Sequence, residues 1–204
     1  MKETRNMKEE FVKLLCSTHR LGMKDLIDYL EISGFFEAPC SGGHHLSKEG
    51  GLLEHSLNVY YLMKDLYEES LGNDVEISSN ALIITGLLHD LGKNGDYGKP
   101  NYVPNMIKDG RPTKAEPERK YKQSEDKPYK SNPDLLYIPH EVRSVAIAKS
   151  YIPLTELEEH AIYYHNGKYT HTGYDLKETP LQMLLHFADL WCSRVIEIEE
   201  EEEE

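Results

Sequence analysis

The sequence predicts an all-α protein, a helical bundle that carries one irregular insertion. Three observations predict it. Apolar residues recur at three- and four-residue steps through most of the chain outside residues 94–132. One segment, Ser79–Leu91, is apolar nearly all round (ALIITGLL), which marks a central, buried helix. Helix start and stop signals such as Gly34, Thr155 with Glu158, and Thr179 with Pro180 bound these segments.

Taken in order, Lys8–Leu15 and Met23–Ile32 read as two amphipathic helices around Leu21-Gly22, and Gly34 closes the second. Residues 38–51, APCSGGHHLSKEGG, form a loop rich in Gly and Ser. From Leu52 to Leu71 the helical period returns, with His55, Val59, Leu62 and Leu66 on one face, and Gly72-Asn73-Asp74 ends it. After the Ser79–Leu91 helix, residues 94–132 lose the period and carry much Pro, Gly and Lys. There, Asn101–Ile107 and Thr113–Lys122 flank Lys108-Asp109-Gly110 as the arms of a β-ribbon. An insertion of this length inside a domain is usually functional or disordered. Helices resume at His140–Tyr151 and stop near Pro153. The next begins at Thr155, with the capping-box partner Glu158, and ends at Asn166-Gly167. The last has Thr179 as N-cap and Pro180 at its first position, with Leu181, Leu185, Asp189 and Cys192 along one stripe.

The chain has 204 residues, of which 39% are hydrophobic and 29% charged, so one domain over residues 1–198 is expected, followed by an acidic tail at 199–204. The net charge of −13 opposes non-specific binding to nucleic acid, which rests on cationic contacts to phosphate. No run approaches the ~18 apolar residues of a membrane span. The opening MKETRNMKEEF lacks the apolar centre of a secretory signal. Cys16, Cys40 and Cys192 are odd in number and lack CxxC spacing, which argues against disulfides and fits three small semi-buried residues in a reducing cytoplasm.

Several ionisable residues fall where apolar ones belong. His55 opens an apolar face, His89 and Asp90 end the most apolar helix, His165 follows Leu157 and Ala161 at four-residue steps, and Asp189 follows Leu181 and Leu185 the same way. One such His is more often a hydrogen-bonded core residue. Several on successive helices need a common partner, because an unpaired carboxylate in a core costs several kcal/mol. Neutral imidazole and carboxylate are the ligands of a divalent metal.

The stretches GGLLEHSLNV, LLHDLGK and LLHFADLWCSR, spread over about Leu52 to Arg194, resemble the HD-domain superfamily of metal-dependent phosphohydrolases. The resemblance implies an all-α bundle in which His55, His89, Asp90 and Asp189 ligate one metal. His140 in PHEVRSV and His165 in YYHNGKY are similar to the second-metal ligands of cyclic-nucleotide and HD-GYP-type phosphodiesterases, which implies two ions bridged by Asp90. Gly173-Tyr174 is followed by Asp175 rather than Pro, so a cyclic dinucleotide substrate is not implied. The Gly-rich loop also resembles small phage HD hydrolases and HD-type 3′→5′ exoribonucleases, although the separate nucleic-acid-binding domain of the latter is not seen. The metal is left open among Mn, Fe, Co, Ni, Zn and Mg, as is the oligomeric state.

The expected reaction is hydrolysis of a phosphoester in a nucleotide-like substrate by a metal-activated water. Asp90 and Lys93 are the expected catalytic residues, with the Lys93 ammonium stabilising charge on phosphate. His45, Arg143 and Lys168 are candidate phosphate contacts. Two alternatives stay open: an HD-fold di-iron oxygenase with the same ligand order, and a non-catalytic nucleotide-binding module.

Overall fold

The computed structural model describes residues 2–71, 75–111, 118–167 and 177–198. Its α-helices are α1 (Lys2–Ser17), α2 (Met23–Ser33), α3 (Gly51–Leu66), α4 (Ser79–Leu88), α5 (His140–Tyr151), α6 (Glu156–Tyr163) and α7 (Pro180–Trp191). Among the described residues, short strands occupy only the stretch between α4 and α5, so the architecture is the helical one that the periodicity predicts.

The core forms around α3 and α4. Every residue from Leu82 to Leu88 is buried, as a helix apolar on all sides requires. Gly86 lets the two helices approach closely, since a Cβ there would stand 2.8 Å from the Cα of Tyr60. Leu52, Leu53, Val59 and Met63 of α3 pack with Ile84, Leu87 and Leu88 of α4 and with Leu185 and Ala188 of α7 in one apolar cluster. Phe11, Phe35 and Phe36 fasten α1 to the chain after α2, with ring centroids 5.3–5.8 Å apart. Arg20 reaches α6, where it pairs with both carboxylate oxygens of Glu158 and donates to the Pro153 carbonyl at 2.6 Å. Glu158 also closes the capping box with Thr155.

The described residues of the insertion include three antiparallel strand pairs. β1 (Gly95–Asp96) pairs with β2 (Lys99–Pro100), β3 (Tyr102–Pro104) with β6 (Tyr129–Ser131), and β4 (Met106–Asp109) with β5 (Lys120–Gln123). The two arms expected from the sequence pair where they are described: Asp109 still pairs with Lys120, so the pairing runs past the expected turn at Lys108-Asp109-Gly110, and the start of the expected second arm, at Thr113, lies outside the described residues. Tyr129 donates its backbone N–H to Gly42 at 3.1 Å, which lays the base of the ribbon on the Gly-rich loop.

Other boundaries shift for physical reasons. The helix expected to run to Leu91 stops at Leu88, and the one expected to reach Gly167 stops at Tyr163, with a turn at 164–167. Leu157 is 56% exposed, so the buried face of α6 is Glu158, Ala161 and Ile162, and His165 joins it from the turn. Leu62 and Leu66 are only half-buried, because the packed side of α3 is centred on His55, Ser56, Val59 and Met63. Cys16 is exposed, whereas Cys40 and Cys192 are buried. The expected stop at 72–74 lies outside the described residues.

Candidate metal centre

Five elements deliver the candidate ligands. His55 comes from the buried face of α3, His89 and Asp90 from the end of α4, His140 from the first position of α5, His165 from the turn after α6, and Asp189 from α7. At Asp90 the backbone leaves the helix (φ −101°, ψ 12°), and Leu91–Asn94 wind as a tight 3-10 turn in which Lys93 N–H donates to the Asp90 carbonyl at 2.8 Å. Gly92 presses that turn against α5. Its N–H donates to Ser144 Oγ at 2.8 Å, and a Cβ on it would lie 2.2 Å from the His140 carbonyl oxygen. Absence of a side chain at Gly92 thus brings Asp90 beside His140. On the other flank, Gln182 of α7 donates to the Tyr164 carbonyl at 3.0 Å and the His186 ring to the His165 carbonyl at 2.6 Å, which steadies the turn bearing His165.

The six residues converge on Asp90 as two groups of potential ligands, His55, His89, Asp90 and Asp189 in one, and Asp90, His140 and His165 in the other. Asp90 Oδ2 lies 3.3 Å from His55 Nε2 and 3.5 Å from His89 Nε2. Its Oδ1 lies 3.3 Å from His140 Nε2 and 3.6 Å from His165 Nε2. Asp189 Oδ1 stands 3.2 Å from His55 Nε2 and 4.0 Å from His89 Nε2.

The donor chemistry fits a cation in each group. His89 Nδ1–H donates to the Gly86 carbonyl at 2.9 Å and His165 Nδ1–H to the Ile162 carbonyl at 2.7 Å. A carbonyl only accepts, so each Nδ1 carries a proton and each ring turns its Nε2 inward. The Nε2 atoms of His55 and His89 then stand 3.3 Å apart, and those of His140 and His165 3.2 Å apart. Both Asp90 oxygens are buried without a well-directed hydrogen bond. Lys93 meets only Oδ2 of this carboxylate, so Oδ1 and the crowded imidazole nitrogens of His140 and His165 face one another with no cation among them, an arrangement that a metal ion would satisfy.

Burial pushes His140 down to about 3 and His165 down to about 4, so both rings are neutral and ligand-competent near pH 7. Burial opposes charge on Asp90, but Lys93 and the surrounding rings outweigh it and hold the carboxyl well below the usual range. Asp189 is held low against its burial by His55. His55 behaves in the opposite way. Burial opposes its charge, yet Cys40 and the hydrogen-bonded carboxylates of Asp189, Asp90 and Glu197 raise it well above 6.5. In the metal-free protein the second proton of His55 thus balances the carboxylates that a metal would otherwise neutralise.

Lys93 turns inward, with Nζ 2.6 Å from Asp90 Oδ2 and 4.0 Å from Cys40 Sγ. His45 lies against the His55 ring, with centroids 5.2 Å apart and its Nε2 3.3 Å from Cys40 Sγ. Arg143 is committed elsewhere. It is buried, donates to the Leu136 carbonyl at 3.0 Å and lies 3.6 Å from Asp96, so it ties the two ends of the insertion to α5. A surface phosphate contact is not the environment the guanidinium occupies. Lys168 lies outside the described residues.

Three neighbours escaped sequence reasoning. Asn166 Nδ2 stands 3.4 Å from His140 Nε2 and 3.3 Å from His165 Nε2, and its place directly after His165 was the only available hint. Tyr102 of β3 is half-buried; burial raises its phenol pKa, and it feels the charges of Lys93, Asp90 and Cys40. Glu197 contacts His55 Nδ1, but in the sequence it is masked by the run of glutamates that follows.

The profile of the HD-domain family matches residues 52–192, the stretch that holds all six converging residues. The chain belongs to the HD-domain family. HD domains bind divalent metals, and the family is one of metal-dependent phosphohydrolases. A 64-residue stretch of the chain is 41% identical to a dihydroneopterin 2′,3′-cyclic phosphate phosphodiesterase of Methanocaldococcus jannaschii. That match covers 30% of this chain and only 25% of the relative's length. No solved structure matches the chain. Among the described residues no helix is long and apolar enough to cross a membrane.

Proposed function

We propose that this HD domain hydrolyses a phosphoester in a nucleotide-derived substrate at a centre for two divalent metal ions. His55, His89, Asp90 and Asp189 would hold one ion, and Asp90, His140 and His165 the other. The observation that carries this reading is the division of Asp90, whose two buried oxygens each face a separate pair of imidazole nitrogens. Such a pair, when bound, would supply a nucleophilic hydroxide near neutral pH and would neutralise charge on the phosphoryl oxygens.

This chain's own groups complete the site. Lys93, fixed as an ammonium beside Asp90, offers a positive charge to a phosphoryl oxygen. Tyr102, brought over the Gly-rich loop by the β3–β6 pair, offers a phenol near that ammonium. Residues 94–132 contain nine Lys and Arg against six Asp and Glu in a chain of net charge −13, a local balance that favours a phosphate-bearing ligand. The cyclic phosphate in the name of the archaeal relative also favours a phosphodiester.

The test is metal analysis followed by assay of the metal-retaining protein on nucleoside monophosphates, 2′,3′- and 3′,5′-cyclic nucleotides and short oligonucleotides. Two ions per chain and release of a phosphomonoester or phosphate are expected. Oxygen uptake tied to substrate loss would replace this reading with the oxygenase one. Tight binding without turnover across Mn²⁺, Mg²⁺, Co²⁺ and Ni²⁺ would replace it with a binding module.

A further inference from the structure

We infer that Glu197 is a positioning residue for the metal centre: its carboxylate holds the His55 imidazole so that Nε2 faces Asp90 and Asp189. The inference rests on the two-ion reading above, and Glu197 lies beyond residue 192, where the family match ends.

The imidazoles do not all obtain their orientation in the same way. His89 and His165 each give Nδ1–H to the carbonyl three residues back, so their own local turns orient them. His55 takes a partner 142 residues away. Its Nδ1 stands 2.9 Å from Glu197 Oε2 and 3.1 Å from Oε1. Asn58, one turn along α3, donates to Glu197 Oε1 at 3.0 Å and fixes the carboxylate in turn. The Glu197 side chain is almost wholly buried, although its neighbours Ile196 and Ile198 are exposed.

The backbone explains how a residue at the end of the last helix returns to the site. After α7 the chain widens into a π-type turn, Cys192–Ile196, closed by Glu197 N–H donating to the Cys192 carbonyl at 3.0 Å. A continued α-helix would carry residue 197 about 12 Å along the axis from Asp189. Instead, one C-terminal arm grips His55 on both nitrogens, with Asp189 Oδ1 3.2 Å from Nε2 and Glu197 2.9 Å from Nδ1. A carboxylate behind a ligating histidine fixes its tautomer and raises its basicity, and loss of such a partner typically costs ~10–100-fold in metal affinity.

The experiment titrates the metal-free protein with Mn²⁺, counting free ion by electron paramagnetic resonance, for wild type, Glu197→Ala and Glu197→Gln. The low-field Nδ1–H proton resonance of His55 and the unfolding temperature are read in parallel. The expected result is a ~10–100-fold weaker affinity at one of two sites in Glu197→Ala, with the His55 resonance lost. Glu197→Gln, which keeps an acceptor without the charge, should fall between the two. Both variants binding both ions within ~3-fold of wild type, at whatever unfolding temperature, would make Glu197 a purely structural residue and overturn the inference. If Glu197→Ala does not fold, Glu197→Gln decides by the same criterion. A wild-type protein that binds no Mn²⁺ would instead overturn the metal-centre reading itself, and this inference with it.

Discussion

At the scale of single residues, Asp90 is the one side chain shared by both ligand groups, which makes its replacement different in kind from the others. Asp90→Ala is expected to remove activity and both metal equivalents together, as measured by elemental analysis. His165→Ala is expected to remove one equivalent and leave the ion of His55, His89 and Asp189; two ions still bound in that variant would take His165 out of the set. Lys93→Met should keep both metals and lower kcat by ~10²–10³-fold, the usual cost of removing one group that stabilises developing charge. Unchanged turnover in that variant would reduce Lys93 to a structural partner of Asp90. Five of the six converging residues were legible because each interrupts an apolar pattern, and an interruption on a packed face needs a partner, whereas His140 was suggested only by the resemblance of PHEVRSV to second-metal helices. Glu197 interrupts nothing visible, since a buried glutamate beside a run of glutamates looks like the rest of the run in the sequence. Arg143 shows a limit of spacing alone. Its place one turn past His140 suggested the site, but side-chain direction sends it to Leu136 and Asp96.

At the scale of elements, caps and helical periods predicted most of the bundle, because Thr155, Thr179 and Gly34 act within one turn of their own backbone. The end of α4 was not legible in the same way. Apolar periodicity runs on to Leu91, while the helix stops at Leu88 so that Asp90 can reach His140. What sets that stop is a tertiary contact, the seat of Gly92 on α5. Gly92→Ala therefore tests the element rather than the residue. With backbone only 2.2 Å from the new methyl group, the turn must move away from α5. The expected cost is ~1–3 kcal/mol of stability by chemical denaturation. It should come with weaker binding of the ion that depends on His140, while the His55 group keeps its own. A variant that lost stability with both metal affinities intact would show that the close approach serves packing alone.

At the scale of the whole molecule, the site concentrates opposing titrations in one core, and they give the metal-free protein a pH dependence of definite shape. Unfolded histidines titrate near ~6.5. His45, His140 and His165 are lowered on folding to about 4, about 3 and about 4. Below pH ~6.5 the unfolded chain therefore binds more protons than the folded one, and stability falls as the pH is lowered towards 4. Asp90, Asp189 and Glu197, all held low, extend that loss at the acid end. His55 has the opposite sign. Its pKa is raised, so its contribution is complete below pH ~6.5 and is lost as the pH rises towards its folded value. The urea midpoint of the EDTA-treated protein should thus pass through a maximum near pH 6.5, with the acid limb worth several kcal/mol in all, on the order of 1.4 per pKa unit. With Mn²⁺ present the alkaline limb should disappear. The ion needs the Nε2 lone pair of His55 and displaces its proton, so binding strengthens with pH and adds stability to the folded state. A metal-free midpoint that climbed steadily from pH 6.5 to 8.5 would show that the carboxylates do not hold a proton on His55, and that its charge is not what balances them.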